Sequence, residues 1–362
     1  MPISQVPFAG ISNPVDFRNI VINGDMQIAQ RATSVASLTT GGYRTTDRWL
    51  FDISSLGTWT MSQSTDVPTG QGFANSTKLD CTTADASPSA GDYLTLEQVF
   101  EGQNLQYLKK GTANASPLTA SFWVKSTKTG TFIVELFDAD NSRSISKSYT
   151  VSVTNTWEFK TVTFAGDTTG AFTNDNGKSL VLRFWLGAGS TYTSGTLGTS
   201  WASTVNANIA VGQVNIADST SNDWLITGVQ LEAGEQASGF EFMPYDIDLL
   251  RCQRYYYLHT KQSANIEPVG VAVYYNSTDL TSFADFPTNM RADPTLISAS
   301  GTNYFAFDRN NGRDYVNSFT LNFSYQTNAI FYNNTEASGT GGQAGFLYTD
   351  NASAYLAFES EL

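Results

Sequence analysis

The chain has 362 residues, 41% hydrophobic, 13% aromatic and only 15% charged, and 33 acidic against 20 basic side chains give a formal net charge of −13. That length admits two domains, and abundant Phe, Tyr and Trp with few helix formers point to all-β structure rather than disorder. The acidic balance excludes a counterion-releasing nucleic-acid surface and disfavours an anionic membrane, and no run approaches the ~18 apolar residues of a spanning helix.

Residues 1–17 hold Pro2, Pro7, Gly10 and Pro14 without any period. They read as an extended arm, either a free tail or a strap on a neighbouring subunit. The folded part begins at Asn19–Arg31, where Ile20–Ile22 reads as a strand and Asn23-Gly24-Asp25 as a turn or bulge. Strands are expected next at Leu50–Asp52, Trp59–Gln63 and Tyr93–Val99. Leu118–Lys125 alternates, with Leu118, Ala120, Phe122 and Val124 on one face. Phe132–Phe137, a turn at Asp138–Ser142, and strands at Ser146–Val153, Trp157–Phe164 and Ser179–Leu186 complete a dense run. Its turn spacing is that of a sandwich or barrel.

Gly187–Thr204 is a long uncharged loop carrying Tyr192 and Trp201, and loops of that length are usually functional or disordered. Trp224–Glu232 reads as a closing strand with a bulge at Gly228. The period then changes. Leu249, Cys252, Gln253 and Tyr256 share a helical face, Pro244 precedes them, and Asp246 and Asp248 lie in the first turn, where the helix dipole favours negative charge. The stretch from Asp223 to Tyr257 is therefore read as the joint between two domains. Beyond it, Val269–Tyr275, Tyr304–Phe307, Ser318–Gln326, Ala329–Tyr332, Gly345–Tyr348 and Ala354–Phe358 read as strands. The expected organisation is all-β: an arm at 1–17, a β-sandwich at 18–243, a short helical joint at 244–257 and a second β-sandwich at 258–362.

The chain contains one histidine, His259, and no Cys-x-x-Cys. A His-rich zinc site or a Ser-His-Asp triad is not expected, and His259 reads as structural. Cys81 and Cys252 fall in different expected domains and read as free buried thiols. Gly177-Lys178-Ser179 resembles the end of a phosphate loop, but Phe172 stands at the first glycine position and a strand follows. Asp138, Asp140 and Ser142 have the spacing of half a calcium loop. Arg143 and Tyr149 occupy its glycine and glutamate positions, so a hairpin turn is the better reading. A calcium ion between Asp25 and carboxylates elsewhere stays open, and no cofactor or metal is expected. Paired carboxylates can hydrolyse a glycosidic bond, but spacing selects no pair. Tyr43, Tyr192 and Trp201, set among Gly, Ser and Thr, are the candidate contacts. Such rings stack on sugars, plug the ends of a sandwich, or bury at a subunit interface.

Asn19–Arg31, Thr46-Asp47-Arg48-Trp49, Ile226–Gly234, Glu241-Phe242, Arg251–Tyr256 and Phe286–Thr295 together resemble tailed-bacteriophage virion proteins of the tail-fibre and appendage kind. Their first domain is similar to the jelly-roll carbohydrate-binding modules. The resemblance implies two jelly-roll-like sandwiches in a virion part, homotrimeric, made in the host cytoplasm and displayed on the particle. It would touch other virion structural proteins and host-surface glycans by multivalent weak contacts, with no catalysis, no nucleic acid and no membrane insertion. A head-decoration or tail protein binding only virion subunits, and a glycan depolymerase, are the alternatives. The motifs mark strand starts and the joint and name no catalytic residue.

Overall fold

A computed structural model describes residues 17–263, 265–310 and 312–362. The expected arm, apart from Phe17, lies outside the described residues. The first half holds β1 (Ser34–Leu38), β2 (Gly42–Tyr43), β3 (Leu50–Ser54), β4 (Thr58–Ser64), β5 (Ser76–Thr83) and β6 (Tyr93–Glu101). It continues with β7 (Leu118–Ser126), β8 (Gly130–Asp138), β9 (Arg143–Val151), β10 (Glu158–Phe164), β11 (Lys178–Ala188), the short α1 (Ser190–Thr193), β12 (Ala202–Ser203) and β13 (Asp223–Ala233). These strands form a six-stranded sheet, β1-β4-β5-β13-β7-β10, facing a seven-stranded sheet, β12-β9-β8-β11-β6-β3-β2.

The core between the sheets follows from alternation. Leu118, Ala120, Phe122 and Val124 of β7 face inward with Leu180, Leu182, Phe184 and Leu186 of β11. Phe122 meets Phe184 edge-on at 5.0 Å. Fully burying each such side chain stabilises by about 1.5–3 kcal/mol. In β13 the register shifts between Thr227 and Gln230. Gly228 sits there at φ +61, and a Cβ would meet the Phe73 ring at 2.5 Å, so the expected bulge has a glycine for a reason.

Two local expectations fail. Ile20–Ile22 is not a strand. Amide side chains take the place of a ladder there: Asn19 Oδ1 accepts from Val21 N and Leu231 N, and Gln98 pairs both ways with the Ile22 backbone at 2.7 and 2.9 Å. The buried backbone is satisfied without strand geometry. The helix of the joint, α2 (Tyr245–Gln253), starts after Pro244 with Asp246 and Asp248 in its first turn, but it stops before Tyr256. Tyr256 opens the next strand, because its backbone pairs with Glu359.

The second half holds β14 (Tyr256–Lys261), β15 (Pro268–Tyr274), β16 (Leu280–Asp285), β17 (Thr295–Ser298) and β18 (Phe305–Arg309). It ends with β19 (Gly312–Val316), β20 (Thr320–Tyr325), β21 (Asn328–Asn333), β22 (Ala344–Thr349) and β23 (Tyr355–Glu359). A three-stranded sheet, β14-β23-β17, packs on a seven-stranded one, β19-β18-β22-β15-β16-β21-β20, around Tyr274, Phe305, Phe307, Phe331, Leu347 and Phe358. The chain is thus two β-sandwiches joined by a short helix. A small third core of Ile22, Ile28, Cys252 and Tyr255 lies at the joint.

The chain after β23 returns to the first sandwich. Buried Arg48 pairs with Glu361 and donates to Val99 O at 2.6 Å, with its guanidinium 3.5 Å from the centre of the Tyr255 ring. Arg31 pairs with Glu359 and Glu361 at 3.0 and 3.2 Å. Arg254 grips Glu101 with two bonds of 2.8 and 2.7 Å. Burial would raise Glu101, but Arg254 and Tyr255 hold its carboxyl below the ordinary glutamate range.

Candidate functional site

The three rings singled out from the sequence each turn inward. Tyr43 lies at the joint, where its hydroxyl donates to Leu362 O at 3.2 Å and its ring faces Arg31 and Arg48. Trp201 packs against the first core, donates to Ala165 O at 2.7 Å and lies 5.5 Å from Lys110 Nζ. Tyr192 packs tilted against Trp185 and edge-on to Tyr93, at 5.2 and 5.5 Å. The structure does not bring them together. The physical reason is area: a ring in a polar loop with a sheet edge beside it gains more by covering apolar surface than by standing in water.

Tyr192 belongs to a roof. The chain from Gly189 to Val214 lies over the outer face of the first seven-stranded sheet, placing Ile209, Ala210, Tyr192 and Leu197 on Ile133 and Trp185. Backbone bonds fasten it at Thr191 to Ala90, Ser146 to Gly198 and Val214 to Thr131. On the same sheet Glu97, Arg183 and Glu135 form one cross-strand row. Arg183 Nε donates to Glu97 at 2.7 Å, and its Nη1 lies 3.5 Å from Glu135. Glu135 is 0% exposed, takes a bond from Trp185 Nε1 at 3.0 Å, and keeps one oxygen without a partner. Burial pushes the Glu135 carboxyl up, and Arg183 opposes that rise.

Other candidates resolve as parts of the fold. His259 Nε2 is 2.9 Å from Val269 O, its ring lies among Tyr257, Phe331 and Phe358, and burial pushes its pKa down. Asp138 accepts from Lys110 at 2.5 Å and from Asn141 in the β8–β9 turn. Lys178 opens β11, so a strand does follow the phosphate-loop mimic. Both cysteines are free and buried. A cavity of about 360 Å³ at the joint includes Asn19, Tyr107 and Arg251, but its Arg254 and Glu101 are already bonded to each other.

The open site lies on the second sandwich. A cleft of about 560 Å³ on the outer face of the second seven-stranded sheet is lined by Tyr275, Asp279, Thr281, Asn322, Phe323, Ile330, Tyr332 and Asn334. Tyr275 and Asp279 come from the turn between β15 and β16, Thr281 from β16, Ile330 and Tyr332 from β21, and Asn322 and Phe323 from β20. Asn276 fixes that turn: its side-chain oxygen accepts from Thr278 N and Asp279 N, and its amide donates to Asp279 at 2.6 Å. Tyr275 is 79% exposed and Phe323 46%. The arrangement offers ring faces beside amide, hydroxyl and carboxylate groups, the chemistry that packs on and hydrogen-bonds a polyhydroxylated ligand. None of these eight residues stood out in the sequence. The available signal was the β20 alternation, which a bulge redirects: Leu321 pairs with Phe331 and faces the core, whereas Phe323 pairs with Ile330 and faces out.

The sequence matches no protein-family model and no curated protein. Among solved structures, the chain is similar to the enzymatically active domain of bacteriophage CBA120 tailspike protein 4. That match has 16% identity and a TM-score of 0.32, and covers 60% of this chain and 22% of that one. It is also similar to a family 4 carbohydrate-binding module, with 11% identity and a TM-score of 0.29, covering 58% of this chain and 97% of that one. A family 11 carbohydrate-binding module from Clostridium thermocellum, in complex with a beta-1,3-1,4-mixed-linked tetrasaccharide, shares 11% identity at a TM-score of 0.27. The match covers 57% of this chain and 99% of that one. TM-scores this low establish no common fold, and the all-β architecture is read from the sheets themselves.

Proposed function

We propose that this protein is a non-catalytic, glycan-binding part of a tailed-phage virion, and that it binds through the open face of its second sandwich. One observation carries the binding reading: Tyr275, Phe323 and Tyr332 line one cleft with Asn322, Asn334, Thr281 and Asp279. The virion placement is supported by the sequence segments named above, and copies displayed together would add weak contacts into avidity. The cleft lining holds a single carboxylate, Asp279, where glycoside hydrolysis uses two.

The test is a glycan array probed with the purified protein and its Tyr275→Ala variant. Losing one stacking ring is expected to weaken binding about 3- to 10-fold. An array on which the protein binds nothing would sink the reading. Two alternatives have distinct tests. A purely structural virion protein is favoured by the apolar rings themselves, which also suit a neighbouring subunit; retained particle assembly by Tyr275→Ala with lost glycan binding would argue against it. A depolymerase would need a second carboxylate beside Asp279, and reducing-end release from host polysaccharide is its signature.

A further inference from the structure

The outer face of the second seven-stranded sheet carries a longer feature than the cleft. Phe346 of β22 pairs with Val271 of β15. Val271 stands one step from the Ala272–Ser282 pair, which sets it beside Phe283 of β16. Phe283 pairs with Ile330 of β21, and Ile330 with Phe323 of β20. Five apolar residues therefore form one straight row across five adjacent strands. Their inward neighbours Leu347, Ala272, Ser282, Ala284, Ala329 and Phe331 are buried, so the row itself points out. The phenyl rings come on every second strand and are 60%, 55% and 46% exposed at Phe346, Phe283 and Phe323. Two strand spacings separate consecutive rings by about 10 Å. At the β18–β19 end the row is closed by the Asp308–Arg313 pair, joined by bonds of 2.5 and 2.7 Å.

Resting on the glycan-binding reading above, we infer that this ladder takes a linear, uncharged polysaccharide lying across the strands, with a same-face repeat matching two strand spacings. A β-1,4-linked pyranose chain has that property: alternate residues are turned over, so the same apolar face recurs once per disaccharide. Val271 and Ile330 underlie the intervening sugars. The Tyr275–Tyr332 cleft, with its amides, anchors one end beside Phe323. Charge selects against acidic polymers: the row itself is uncharged, Asp279 is the one ionisable carboxylate of the cleft, and the chain carries a net −13. The same charge opposes seating a second copy of the chain face to face.

Titration of the protein with cello- and chito-oligosaccharides from dimer to octamer tests the inference. Affinity should climb about tenfold or more with length as the second and third rings are covered, and then level off. Phe346→Ala and Phe283→Ala should flatten that climb, and a thermal melt should show both variants folded, since both rings are exposed. Oligogalacturonates of equal length should bind at least tenfold more weakly. Short sugars that bind without any gain from length, or a climb that both variants retain, would overturn the ladder and leave glycan binding by the cleft intact. No binding to any oligosaccharide would bring both down. Self-association in sedimentation that Phe346→Ala abolishes would assign the row to a second copy and overturn the inference.

Discussion

The two large sheets carry opposite things on their outer faces. On the first, a largely buried charged row, Glu97–Arg183–Glu135, runs beside Trp185, which the chain's own residues roof over. On the second, an apolar row, Phe346–Val271–Phe283–Ile330–Phe323, stands in solvent. Each inverts the usual partition, and each is therefore informative. Buried charge persists only when paired, so the first face is a finished interior. Exposed aligned rings lower no free energy in the free protein, so the second face is an unfinished one awaiting something outside.

The largest effect that would break this contrast is on the covered face. Arg183→Ala leaves two buried carboxylates unpaired and should cost about 3–5 kcal/mol in chemical denaturation; a loss under 1 kcal/mol would mean the roof admits water. Trp201→Ala removes a half-buried ring and its bond to Ala165. It should cost about 2 kcal/mol without changing glycan affinity; weakened binding would return Trp201 to the site. The joint supplies a pH test. Burial pushes Asp47 up to about 6, against the pull of Arg31. The native state thus holds this proton more tightly than the unfolded chain. Its contribution to stability is present below about pH 4 and is lost as pH rises through 6, with a slope of at most about 1.4 kcal/mol per pH unit. Asp47→Asn should flatten that segment of the stability profile, and an unaltered profile would show that Asp47 does not titrate there. The smallest effect lies on the bare face: Phe323→Ala should shift stability by less than about 0.5 kcal/mol while weakening oligosaccharide binding.

Much of the fold was legible because alternation speaks directly of a half-buried sheet. β7, β8 and β11 announce their inward faces, and Gly228 marks its bulge. β5 (Ser76–Thr83) and β16 (Leu280–Asp285) carry a weak strand signature, because Lys78, Asp80 and Asp285 on their outward faces dilute the apolar signal. Ile20–Ile22 misleads because a β-branched run reports burial, not ladder geometry, and Gln98, which holds the Ile22 backbone, lies 76 residues along the chain. The site was the least legible part. Phe319, Leu321, Phe323 and Tyr325 alternate as one set, yet the bulge sends the first two inward and the last two out, and no local pattern declares where a strand changes face. Tyr43, Tyr192 and Trp201 were conspicuous only for their polar neighbours, which say nothing about the sheet beside them.

The pairing of Arg48 with Glu361 spans 313 residues of chain. On the ribosome the first sandwich emerges before both the Tyr255 ring that covers this guanidinium and the carboxylate that neutralises it have been made. A nascent chain halted anywhere before β23 would carry that cation unmatched, and residues 18–243 expressed alone should inherit the same deficit. The last ion pair of the amino-terminal half thus waits on translation of the carboxy-terminal one.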